Sequence, residues 1–187
     1  MNGFFKIHRS KSDGFIKLTQ NKKSNARNIY TLDGIDDYIS LPNYDFNDGE
    51  SVSFKFIASN IAIHACFIGR DSNGRTVWNE SGVIVLSSVV KSALLDGELI
   101  INRVTPTPSD NIEHKIEVVF NVGGSINSCG ASGGGIGYNL GAAIYDIEFG
   151  GRFYPVDDGW HSNPTIKDML SGQDGAAINF QESGWSK

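Results

Sequence analysis

Two carboxylates, Asp146 and Glu148, stand two residues apart in the run Ile144-Tyr145-Asp146-Ile147-Glu148. If that run is a β-strand, its side chains alternate in direction and both carboxylates face one way. A pair of carboxylates flanking a sugar linkage is the equipment of glycoside hydrolysis, one as acid and the other as nucleophile or base. The next position on that face is Ile144, which has no nucleophilic atom. Asp146 and Glu148 therefore read as polar residues on one face of a half-buried strand. The expectation is no enzyme and no catalytic residue, with a glycoside hydrolase of unrecognised site as the catalytic alternative. Ser-His-Asp chemistry has no firmer footing. His8, His64 and His114 alternate with apolar residues as strand positions do, His161 adjoins Trp160, and no histidine lies near a Gly-x-Ser-x-Gly elbow. No Cys/His spacing suits zinc.

Binding chemistry has more to work with. Aromatic rings stack on the apolar faces of sugars while carboxamides and carboxylates take the hydroxyls, so loop aromatics beside Asp or Asn are the places to look. Asp71-Ser72-Asn73-Gly74-Arg75 followed by Trp78-Asn79-Glu80 offers Asp71, Asn73, Trp78 and Asn79 as ligand-binding residues. Asp157-Asp158-Gly159-Trp160-His161 offers Trp160 and His161. For each tryptophan the competing reading is core packing or a lid over a sheet. The stretch from Gly123 to Gly141 is rich in glycine and carries no charge. Lacking Gly-Lys-Ser/Thr, it offers a phosphate backbone donors without a countercharge, and it reads as a long loop.

The net charge of −5 is unevenly spread. Residues 1–27 hold Lys6, Arg9, Lys11, Lys17, Lys22, Lys23 and Arg27 against Asp13 alone. A basic arm of this kind suits docking on an acidic surface, either this chain's own body or a partner subunit. Nucleic acid is not the expected partner, because Phe4, Phe5, Ile7, Phe15, Ile16 and Leu18 read as strand residues with core-facing sides. Ordinary solvated strands with lysine outward are the alternative. Cys66 and Cys129 are too few for a disulfide framework and are expected to be free thiols. No apolar run approaches the roughly 18 residues of a membrane span, so no membrane insertion is expected. The N-terminus has no apolar core followed by a cleavage site, and the chain reads as soluble and unprocessed.

These residues must be positioned by strands. Short runs rich in β-branched and aromatic residues recur between turn signals: Ile29 to Leu32, Tyr38 to Leu41, Ser51 to Ile57, Ala62 to Gly69, Thr76 to Trp78, Gly82 to Ser88, Glu98 to Arg103, His114 to Asn121 and Ala142 to Phe149. Asp33-Gly34, Asn73-Gly74 and Asp96-Gly97 are hairpin-type dipeptides. Phe4 to His8 and Phe15 to Leu18 suggest a hairpin arm. Asn163-Pro164, with Gly172 as terminator, predicts one short helix, and Ala176 to Phe180 a last strand. The fold expected is all-β, a two-sheet antiparallel sandwich, in three parts: arm 1–28, sandwich 29–150 and an extension 151–187 packing on it.

The run Tyr30-Thr31-Leu32-Asp33-Gly34-Ile35-Asp36-Asp37-Tyr38-Ile39-Ser40-Leu41-Pro42 resembles the opening of laminin-G-like, concanavalin A-like jelly rolls. Ser51 to Phe56, Cys66 to Asp71 and Gly141 to Glu148 are similar to later strands of that family, so the likeness covers about residues 29–150. Phe153 to Gly159 and Thr165 to Trp185 resemble the extension such domains carry in bacteriophage virion proteins. Glucanases of this class have a strand similar to Glu-Ile-Asp-Ile-Glu, whose nucleophile position is held here by Ile144. The resemblance implies a jelly roll and a non-enzymatic component of a phage tail, fibre or decoration, made in a bacterial cytoplasm and located on the virion. Its partners would be other virion subunits, in a symmetric assembly or homo-oligomer, and a cell-surface glycan. A free carbohydrate-binding lectin module is the alternative. Calcium is the one cofactor implied, with Asp36, Asp37 and Asp71 as candidates. Spacing alone implies no metal, since Asp-Gly and Asp-Asp pairs are ordinary turn residues.

Overall fold

A computed structural model of the chain describes residues 29–70, 74–121, 123–132, 138–156, 165–180 and 185–186. The expected N-terminal hairpin and the basic arm lie outside those residues. What is described is all-β. The strands, in order, are β1 Ile29–Tyr30, β2 Tyr38–Phe46, β3 Ser51–Ile57, β4 His64–Arg70, β5 Gly74–Glu80, β6 Val83–Leu86, β7 Val90–Leu95, β8 Glu98–Leu99, β9 Glu113–Phe120, β10 Gly124–Cys129, β11 Ala143–Phe149, β12 Arg152–Tyr154, β13 Thr165–Ile166, β14 Gly175–Ile178 and β15 Trp185–Ser186. No helix among them is long and apolar enough to cross a membrane.

Two antiparallel sheets form a sandwich. One has seven strands in the order β13-β14-β2-β10-β4-β5-β6, the other six in the order β12-β11-β3-β9-β7-β8, and β1 pairs separately with β15. Consecutive strands repeatedly change sheet, as β2 to β3, β3 to β4, β9 to β10 and β10 to β11 do. Alternation sets which face of each strand meets the other sheet. Val52, Phe54 and Phe56 of β3 and Ile116, Val118 and Phe120 of β9 are fully buried, while the residues between them are polar or half-exposed.

Aromatic rings join the two sheets. Phe46 of β2 stacks on Phe120 of β9 at 4.0 Å between centroids, and Phe67 of β4 meets Phe56 of β3 at 5.0 Å and Phe54 at 6.0 Å. Burying one such ring is worth roughly 1.5–3 kcal/mol. The core is apolar enough to hold Cys66 and Cys129 as free, buried thiols, as expected from their number. Burial pushes the pKa of both well above the usual thiol range.

Two expectations need correction. The glycine-rich stretch is not simply a loop: its first part is β10, in the middle of the seven-stranded sheet between β2 and β4. Small residues there serve packing, since a Cβ on Gly124 would lie 2.3 Å from the Phe120 ring. The short helix beginning at Asn163-Pro164 is also absent among the described residues. Thr165–Ile166 is a strand antiparallel to β14, and the chain after it turns. The cause is Asp168, buried and accepting backbone N–H groups from Leu170, Ser171 and Phe153 at 3.0, 3.1 and 2.9 Å. A carboxylate that gathers local amides in this way competes with a helical ladder. Burial alone would raise the Asp168 pKa, but the Ser171 hydroxyl and these amides outweigh it and hold it down to about 2.

Asp96-Gly97 forms the hairpin turn its composition suggests, with φ of 52° and 89°, joining β7 to β8. The following strand is shorter than expected because the amides of Val104 and Thr105 turn back to the Ile101 carbonyl. Since the Phe46–Phe120 stack spans the sheets, Phe120→Ala should cost about 3–5 kcal/mol in urea unfolding. A loss below about 1 kcal/mol would show that the two layers do not share this core.

Candidate ligand-binding groove

The outer face of the six-stranded sheet is set by an irregularity in β11. Tyr145 stands opposite Lys55 of β3 and Glu148 opposite Ser53, so Asp146 and Ile147 together face one residue. Asp146 takes a φ of 49° there. This is a β-bulge, which bends a strand and re-aims its side chains. Ile144 and Ile147 both enter the core, while Asp146 and Glu148 both open on the outer side. The two carboxylates thus share a face, but the face excludes Ile144.

Register does the rest. Phe153 of β12, Glu148 of β11, Ser53 of β3, Glu117 of β9 and Leu94 of β7 are successive cross-strand partners and form one row. Tyr145, Lys55 and Lys115 form the neighbouring row. A groove of about 280 Å³ lies over Ser51, Ser53, Lys115, Glu117 and Glu148, with Gly150-Gly151 at its rim. This is near the small end of ligand clefts, which run from roughly 300 Å³ upward.

Ion pairs and a hydrogen bond run along the neighbouring row and into the groove. Lys55 Nζ lies 3.3 Å from both Glu113 and Asp146, the Tyr145 hydroxyl donates to Glu113 at 2.6 Å, and Lys115 Nζ is 2.7 Å from Glu117. Burial alone would lower the Lys55 pKa, but its two carboxylate partners outweigh that and raise it. Among the described residues the Glu148 side chain makes no hydrogen bond or ion pair, and it lines the groove. The groove therefore presents carboxylate acceptors, two serine hydroxyls and an ammonium donor, and the half-buried Phe153 is the next residue beyond Glu148 in the cross-strand row. That mixture suits a polyhydroxylated ligand. Composition alone did not reveal the site. Its signal is the polar member of each alternating pair, Ser51, Ser53 and Lys55 or Lys115 and Glu117, and only register brings them together.

The residues expected to bind ligand fare differently. Trp78 is half-buried on β5, with the Arg75 guanidinium 4.8 Å over its ring. Arg75 also lies 4.0 Å over Tyr138, so one guanidinium contacts both rings. Asn79 is buried, its amide donating to the carbonyls of Ala62 and Ile63 at 2.6 and 3.2 Å while its oxygen accepts the Thr107 hydroxyl. Its hydrogen-bonding capacity is spent on holding loops to β5. Asp71, Asn73, Trp160 and His161 lie outside the described residues, as do Lys6, Arg9, Lys11, Lys17, Lys22, Lys23 and Arg27.

The turn between β1 and β2 carries the calcium candidates Asp36 and Asp37, and Asp71 is outside the described residues. Oxygens of Asp33, Asp36 and Asp37 lie within 4.8 Å of one another, a donor set that fits a hard cation. Asp37 is buried and its Oδ1 has no hydrogen-bond partner. Burial raises the Asp37 pKa despite the hydrogen bond from Tyr30.

His114, at one end of β9, is clamped by Asp96 at 2.6 Å and Asp110 at 3.0 Å, with its ring 5.6 Å from Phe56. Burial alone would lower its pKa, but the two carboxylates outweigh that and raise it. A raised imidazole pKa stabilises the fold fully below the unfolded value and is lost as pH climbs through the folded one. No family model, curated protein or solved structure matches the chain, so its class is defined by its fold: an antiparallel β-sandwich with a polar groove on one outer face. The clamp predicts that the urea midpoint falls as pH rises from about 6.5, and that His114→Gln flattens this decline. An equal decline in the variant would show that the imidazole charge does not stabilise the fold.

Proposed function

We propose that this chain is a non-enzymatic structural component of a bacteriophage particle, displayed at its surface, that recognises a glycan through the groove over Ser53. The observation that carries the recognition reading is the row Phe153, Glu148, Ser53 and Glu117, an aromatic ring and two carboxylates around a serine hydroxyl. Such a row meets both halves of a sugar, its apolar C–H face and its hydroxyls. The non-catalytic reading is supported by Ile144, which lies in the core, and by the ion pair tying Glu117 to Lys115.

The virion reading is supported by the resemblance of Tyr30 to Pro42 and of the C-terminal run to phage particle domains. In that setting the chain's partners are other virion subunits, in a symmetric assembly or homo-oligomer, and the basic residues of the arm are the contacts with them. Mass spectrometry of purified particles should detect the chain, and its absence would end the virion reading. A glycan array with the full chain should show binding that falls by about tenfold or more in Glu148→Ala, the equivalent of roughly 1.4 kcal/mol. Ser53→Trp, which fills the groove, should abolish binding. Binding unchanged in both variants would place recognition elsewhere, and no binding to any glycan would remove the recognition reading.

A further inference from the structure

Three buried polar atoms without partners lie together on the outer face of the seven-stranded sheet. Val77 of β5 and Leu86 of β6 are cross-strand partners that pack on the core, so the residues beside them, Thr76, Trp78 and Ser87, turn to the outer face. The Ser87 amide donates to the Thr76 carbonyl at 3.0 Å, which sets these two side chains next to each other. Thr76 Oγ1, Trp78 Nε1 and Ser87 Oγ are all buried, and none has a hydrogen-bond partner. Thr76 as a whole is 0% exposed. Native folds seldom bury such groups empty unless a water or a ligand completes them.

Arg75 belongs to the same face. Ile68 and Gly69 stand opposite Val77 and Arg75, so β5 carries one extra residue there, and the guanidinium comes to lie 4.8 Å over the Trp78 ring. It also lies 4.0 Å over the ring of Tyr138, whose carbonyl accepts the Cys66 amide at 2.7 Å and whose ring meets the edge of His64 at 5.6 Å. The two rings restrain the guanidinium without accepting its N–H groups as an oxygen would. Among the described residues Lys55, Lys91, Arg103, Lys115 and Lys167 each meet a carboxylate. Arg75 meets none.

The donors select the ligand. A guanidinium and an indole N–H can only donate, and the two hydroxyls beside them can donate as well. One water would bring two lone pairs and no charge, whereas an oxyanion brings several acceptors and the countercharge that Arg75 lacks. We propose that this face of β5 and β6 is a binding site for an oxyanion, the carboxylate or phosphate group of a small ligand, with Arg75 as its counterion and Thr76, Trp78 and Ser87 as further donors. The site lies on the other sheet from the groove over Ser53, so failure of either reading leaves the other intact.

The test follows amide and indole resonances of the full, isotopically labelled chain as sodium phosphate or sodium acetate is added at constant ionic strength. The Trp78 indole signal, identified by its loss in Trp78→Phe, should shift and saturate with at least one of the two anions. The anion that saturates at the lower concentration identifies the group bound. Arg75→Gln should weaken its binding by about tenfold or more. Thr76→Val keeps the shape and removes a hydroxyl that bonds nothing in the fold, so it should fold normally and weaken binding by about threefold or more. Arg103→Gln, at an arginine already paired with Glu80, should bind as wild type does. An indole signal that saturates with neither anion, or that saturates at wild-type concentrations in Arg75→Gln or in Thr76→Val, would overturn the proposal.

Discussion

The outer surface of the six-stranded sheet depends on the aromatic layer behind it. Phe54 and Phe56 on one sheet and Phe67 on the other, with Phe46 against Phe120, fix which alternate side chains point inward. Once those are buried, the pleat sends Ser51, Ser53, Lys115 and Glu117 outward with no freedom to choose. A one-residue slip in β3 or β9 would put charges into the core, and the cost of burying them is what makes the face reproducible.

The bulge in β11 departs from that rule, and it matters for chemistry. In a regular strand Ile144, Asp146 and Glu148 would share a face. The extra residue at Asp146 lets Ile144 and Ile147 both enter the core while Asp146 and Glu148 reach the outer side. Asp146 accepts a positive φ and an ion pair with Lys55 in exchange. The bulge thereby leaves Glu148 on the outer side, opposite Ser53 of β3.

The strands were legible where alternation is strong. Ser51 to Ile57 has the bounds observed for β3, and His114 to Asn121 and Ala142 to Phe149 lie within one residue of β9 and β11 at each end. Legibility failed where packing rather than propensity decides. Gly124–Cys129 looks like a loop because its glycine and serines are small, yet it is a central strand in which Gly124 leaves room for the Phe120 ring. The segment after Asn163 looks like a capped helix, yet Asp168 collects its amides into a turn. The groove was hidden for a different reason: its residues come from β3, β9 and β11, and periodicity within each strand says nothing about register between them. The aromatic criterion points instead to Trp78, half-buried on β5 beside Arg75.

The central claim is that a polyhydroxylated ligand sits on the row through Glu148, Ser53 and Glu117. Amide chemical shifts of the isotopically labelled chain, followed as a binding saccharide is added, test it most directly. The account predicts perturbations concentrated at residues 51–55, 115–117 and 148–151, with little change around Trp78. Perturbations centred on Arg75, Trp78 and Tyr138, with the six-stranded sheet silent, would contradict it.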